Sequence, residues 1–103
     1  MSAAAGEVKR SEPMQAHKGY YREQCLQLDA GQSLQFQFST PHPVDFNIHH
    51  HADPKTIYAV RQRVDSELHK SVVIKAGGEY CFMWKNVDAY PAAYPITLTY
   101  ELH

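Results

Sequence analysis

Two histidines one residue apart, His49 and His51, close an alternating segment in which Val44, Phe46 and Ile48 are apolar and Asp45 and Asn47 are polar. Successive side chains of a strand point to opposite faces, so Asp45, Asn47, His49 and His51 project together, and Val44, Phe46, Ile48 and His50 project the other way. Two imidazoles side by side can chelate one divalent ion, and copper or zinc is the ion that suits them. Useful affinity needs a third donor. The candidates are His42 from the preceding turn, Asp53 just beyond the strand, or Asp45 and Asn47 on the same face; Met83 would serve only a softer cuprous site. The reading that stands first is plainer: a solvated strand face whose histidines hold nothing. No cofactor is required, and the metal is the alternative.

Cys25 and Cys81 lie far apart and form no C-x-x-C unit, which excludes a zinc ribbon and a thioredoxin-like redox centre. A bridge enclosing that much chain would stabilise the fold by about 4 kcal/mol in an oxidising compartment. Two reduced, buried thiols fit the residues equally well, since Cys81 lies in an apolar run. Neither cysteine looks nucleophilic: a reactive thiolate needs an accessible, electropositive setting, and Cys81 is among Tyr80, Phe82 and Trp84. A blue-copper loop is excluded because Phe82 alone separates Cys81 from Met83. There is no Gly-x-Ser-x-Gly, no His-Glu-x-x-His and no phosphate loop, so no enzyme chemistry is expected.

The elements that would position these residues are almost all strands. Leu26 and Leu28, then Leu34, Phe36 and Phe38, then Val44, Phe46 and Ile48 recur with period two. Ala30-Gly31 and the Pro41-His42-Pro43 stretch separate them as turns. Ile57, Tyr58 and Val60 support a shorter strand, and residues 61–69, polar and mixed, read as a loop. Val72, Val73 and Ile74 are β-branched; after Gly77-Gly78 comes the most apolar segment, with Tyr80, Phe82 and Trp84 on one face and Cys81 and Met83 on the other. Both faces covered marks a central strand. Residues 86–95 read as a long surface loop, and Ile96, Leu98, Tyr100 and Leu102 form the last strand. Residues 1–18 carry few sizeable apolar side chains and read as a flexible arm. The expectation is one all-β domain over residues 19–103, an antiparallel β-sandwich of jelly-roll type with about seven to eight strands.

With 103 residues, ten Lys/Arg against eleven Asp/Glu and no run of like charge, the chain has the size of a single domain and no footprint for nucleic acid. No apolar run approaches the roughly 20 residues of a membrane span, so no membrane insertion is expected. Seven histidines mean that the net charge of -1 changes sign on mild acidification.

Cys25 in the first strand, Gly78, Tyr80, Trp84 and Asn86 in the late one, and the alternation Ile96-Thr97-Leu98-Thr99-Tyr100-Glu101 carry a resemblance. On these residues, and on the Val44-Asp45-Phe46-Asn47-Ile48 segment, the chain resembles the GOLD (Golgi dynamics) domain family. The resemblance implies a β-sandwich that binds protein rather than catalyses, and a Cys25–Cys81 disulfide like that of the cargo-receptor branch. Those receptors continue into a coiled coil and a membrane span, and this chain stops at His103, so a stand-alone domain is expected. The bridge in turn implies a periplasmic or secreted protein whose signal segment is absent. The expected partner is a protein, met through Tyr90 and Tyr94, because loop tyrosines bury much area at low entropic cost. The chain itself is expected as a monomer or weak homo-oligomer.

Overall fold

The computed structural model describes residues 7–14, 21–87 and 94–103. They form eight strands: β1 Glu7–Met14, β2 Tyr21–Leu28, β3 Ser33–Ser39, β4 Val44–Ala52, β5 Lys55–Val64, β6 Glu67–Val73, β7 Gly78–Asn86 and β8 Tyr94–Leu102. Two antiparallel sheets have the orders β1-β8-β3-β6 and β2-β7-β4-β5. Strand β1 pairs with β8, β2 with β7, β3 with β6 and β4 with β5, which is one long hairpin rolled over itself, a jelly roll. Its tip is the turn at Asp53-Pro54 between β4 and β5. No helix among the described residues is long and apolar enough to cross a membrane.

The period-two residues fill the space between the sheets. Leu34, Phe36, Phe38, Ile96 and Leu98 come from one sheet and meet Val44, Phe46, Ile48, Tyr80, Phe82 and Trp84 from the other, all buried. Phe46 lies at the middle, its ring 4.6 Å from Phe38, 5.6 Å from Phe36 and 5.7 Å from Trp84. Each such side chain contributes about 1.5–3 kcal/mol through burial. Gly31 turns β2 into β3 at a positive φ of 94°, and its N–H donates to the Ile74 carbonyl at 2.8 Å, tying that turn to the far end of β6.

Three sequence expectations change. Residues 7–14, expected within a flexible arm, are strand β1, held in register from Glu7 opposite Glu101 to Met14 opposite Tyr94. An edge strand has one neighbour and draws on backbone pairing more than on an apolar pattern, so composition understates it; Pro13 is tolerated there because the edge has a ladder on one side only. Residues 61–69, expected as a loop, are the end of β5, a tight turn at Asp65-Ser66 and the start of β6. Both are edge strands whose polar residues face water, which hides the alternation. Tyr94, expected in a surface loop, opens β8 and is buried.

Cys25 and Cys81 are direct partners across β2 and β7, with Cα atoms 4.0 Å apart, and are joined in a disulfide. The bridge spans 56 residues of sequence, so by chain entropy its reduction is expected to cost about 4 kcal/mol, read as a lower urea midpoint. Phe46→Ala is expected to cost about 3–5 kcal/mol in the same assay, whereas Val73→Ala, at a site 64% exposed, should change stability by no more than about 0.5 kcal/mol.

Candidate functional site

The outer face of the β2-β7-β4-β5 sheet is laid out in cross-strand rows. The first runs Tyr21, Lys85, Asp45, Arg63; the second Glu23, Met83, Asn47, Arg61; the third Cys25, Cys81, His49, Tyr58. Alternation fixes this, because on β4 and β7 these are the positions whose neighbours, Val44, Phe46, Ile48, Tyr80, Phe82 and Trp84, enter the core. The pairing of β4 with β5 shifts between Ile48 and His49, leaving Ala59 as the extra residue, and this bulge sets Tyr58 opposite His49. The rows line an open groove of about 720 Å³. A second groove, of about 510 Å³, lies on the outer face of the other sheet around Gln37 and Thr99.

His49 is the most enclosed polar side chain of the face, 7% exposed. Its Nδ1 lies 2.6 Å from Asn47 Oδ1 and its Nε2 3.3 Å from Glu23 Oε2, so the ring reaches over β7 and ties β4 to edge strand β2. Both partners are acceptors: a neutral ring donates to one of them, and only the imidazolium donates to both. At the open end, the Arg61 guanidinium stacks 4.6 Å from the Tyr58 ring centroid, a cation–π contact at an exposed site.

The expected metal site is assembled only in part. The His49 and His51 rings stand 5.4 Å apart, and His51 Nδ1 lies 3.3 Å from Thr56 Oγ1. His42 is at the other end of β4, its ring against Tyr94 at 4.9 Å; Asp53 is exposed in the β4–β5 turn; Met83 lies opposite Asn47. Among the described residues, the cluster of possible donors that contains His49 consists of Glu23, His49 and Cys81, with ligand atoms within 4.8 Å of one another, and does not include His51. Cys81 is engaged in the disulfide.

Of the two expected contact tyrosines, Tyr90 lies outside the described residues. The Tyr94 hydroxyl donates to Asn86 Oδ1 at 3.1 Å, so its buried ring braces the β7–β8 junction and is not a contact surface. Exposed aromatic area lies instead at Tyr21, 53% exposed, and Tyr58, 44% exposed. Glu23 and Arg61 had no local signal: Glu23 joins the site only through the pairing of β2 with β7, and Arg61 only because the expected loop is a strand.

No protein-family model and no curated protein matches the chain. Solved structures do. PliG from Aeromonas hydrophila, a periplasmic inhibitor of g-type lysozyme, superposes with a TM-score of 0.71 at 15% identity over 100% of this chain and 93% of that one. PliG from Salmonella Typhimurium, also a periplasmic g-type lysozyme inhibitor, gives 0.62 at 11% identity with the same coverages. A de novo designed double-stranded β-helix gives 0.51 at 13% identity over 95% of this chain and 99% of that one. At these identities the shared property is the fold.

The Glu23–His49 contact is expected to couple by about 1 kcal/mol in a double-mutant cycle to alanine followed by urea unfolding. The Glu101–His103 pair, at 3.1 Å but half exposed on both sides, should show coupling near zero.

Proposed function

We propose that this chain is a non-enzymatic protein-binding module of the periplasm or the secreted space, and that it inhibits a g-type lysozyme. The observation that carries the reading is the overlap of the whole chain with two g-type lysozyme inhibitors from two organisms. The GOLD resemblance implies the same class of activity, capture of a protein without chemistry. The Cys25–Cys81 bridge suits an oxidising compartment.

The recognition surface is the outer face of the β2-β7-β4-β5 sheet. Tyr21 and Tyr58 are large, exposed and amphipathic, and the Arg61 guanidinium carbon lies over the Tyr58 ring; Tyr and Arg are among the side chains that dominate binding energy at protein interfaces. Around them Lys85, Asp45 and Arg63 alternate in sign, which sets orientation more than affinity.

Titrating the purified protein into cell-wall lysis by a g-type lysozyme, with a c-type enzyme in parallel, is expected to give stoichiometric inhibition of the g-type enzyme alone. Tyr58→Ala and Arg61→Ala should each weaken inhibition about tenfold or more with the fold intact by circular dichroism. No inhibition, together with no heat of binding at micromolar protein, would overturn the lysozyme reading.

A further inference from the structure

One sulfur of the disulfide, that of Cys81, belongs to a set of metal donors. Cys25, Cys81 and His49 are successive partners in one row across β2, β7 and β4, and Glu23 reaches the same spot with its Oε2 3.3 Å from His49 Nε2. The ligand atoms of Glu23, His49 and Cys81 all lie within 4.8 Å of one another. Tetrahedral zinc takes donors at about 2.0–2.3 Å from the ion, so its ligand atoms stand about 3.3–3.8 Å apart; the Glu23–His49 pair, at 3.3 Å, already has that spacing. Cys25 stands outside this trio, and its bond to Cys81 keeps the Cys81 sulfur from serving and holds the Cys25 sulfur away.

We propose that opening the Cys25–Cys81 bridge turns this patch into a site for a borderline-soft divalent ion, zinc above all, held by the Cys81 thiolate, His49 Nε2 and one Glu23 carboxylate oxygen, with the freed Cys25 thiolate turning in as the fourth donor. The step balances simply. A phosphine or dithiol reductant supplies two electrons and is itself oxidised, the S–S bond breaks, and two protons from solvent complete the two thiols. On ligation each thiol releases its proton again. Two thiolates and a carboxylate then face one dication, and the sulfur and imidazole donors favour zinc over magnesium or calcium.

The sheet preorganises the donors. Asn47 Oδ1, 2.6 Å from His49 Nδ1, accepts a hydrogen bond from an Nδ1–H and so favours the tautomer of the neutral ring whose lone pair is on Nε2, on the side of Glu23 and Cys81. A hydrogen bond to the non-ligating nitrogen is how metal-binding histidines are oriented. Glu79, which clusters with Cys25 and Cys81 on the side away from Glu23, offers one oxygen and no imidazole, so the ion belongs on the His49 side. His51 takes no part. The proposal stands independently of the lysozyme reading.

The test uses the full chain, reduced with a phosphine and titrated with Co²⁺ as the spectroscopic probe, then with Zn²⁺. Expected are thiolate-to-cobalt charge transfer and intense tetrahedral d–d bands saturating at one equivalent, bleached by zinc, and none of these bands in the oxidised protein. His49→Ala and Glu23→Gln should each weaken binding about tenfold or more, and Glu79→Gln should not. Each variant is first shown to be folded in its oxidised form. If reduction alone loosens the fold, zinc is expected to restore the strand signal in circular dichroism and to raise the thermal midpoint of the reduced protein only. A reduced chain that gives no thiolate–cobalt bands and regains no structure with zinc overturns the proposal, as does cobalt binding that is indifferent both to His49→Ala and to Glu23→Gln.

Discussion

Strand β7 is the element on which the rest of the molecule depends. It has a partner on each side, β2 and β4, and side chains covered on both faces. Tyr80, Phe82 and Trp84 face the opposite sheet and are buried; Cys81 is buried on the outer face, with Met83 beside it half covered. A strand in this position cannot slip by one residue. The slip would bring Cys81 and Met83 into a core shaped for rings and place Phe82 and Trp84 on the outer face, losing about 1.5–3 kcal/mol for each large side chain exposed. The Cys25–Cys81 bridge pins the same register covalently, since the two residues are direct partners. Once β7 is fixed, β4 is fixed by its pairing, and the cross-strand rows of the outer face follow without further choice.

Those rows explain how an open sheet face can recognise something. The space between the sheets is occupied by Phe36, Phe38, Phe46, Phe82 and Trp84, whereas the grooves around Tyr58 and around Gln37 lie on outer faces. Small ligands are held mainly by enclosure, which buries most of their surface. An open groove floored by a rigid sheet does better against a partner that brings its own complementary surface, such as another folded protein. Rigidity helps here because side chains already ordered lose little entropy on binding, and Arg61 on Tyr58 is such a pair.

The interior was fully legible in the sequence and the edges only in part: β2 was read from Leu26 and Leu28, and β5 and β6 only at their apolar ends. Leu34, Phe36 and Phe38, Val44, Phe46 and Ile48, and Tyr80, Phe82 and Trp84 announce themselves by strict alternation because one face of each is fully buried. Strand β1 and residues 61–69 of β5 and β6 lie at sheet edges, where one ladder suffices and polar residues meet water, so the same physics leaves no apolar period to read there. The candidate site divides along the same line. That Asp45, Asn47, His49 and His51 share a face follows from period two alone, but which residues stand across from them is a matter of pairing between distant strands. Glu23 precedes His49 by more than twenty positions in the chain and touches it because β2 and β4 flank β7. A histidine pair read as adjacent along the strand therefore proves to be divided, with His49 turned to Glu23 and Asn47 and His51 turned to Thr56.

Tyr94 makes the complementary point about aromatic residues beside proline. Its position next to Pro95 reads as a loop tyrosine available for contact, yet two features place it inside. Pro95 pairs only with Pro13 of β1 and lies beyond the reach of β3, so its missing N–H leaves no gap in the ladder between β8 and β3. Strand β8 can thus begin one residue before the proline, and alternation then carries Tyr94 inward with Ile96 and Leu98. A buried tyrosine needs a hydrogen-bond partner for its hydroxyl, and Asn86, itself buried at the end of β7, supplies one at 3.1 Å. This hydrogen bond ties the end of β7 to the start of β8, so a residue with the composition of a binding loop instead closes one end of the core.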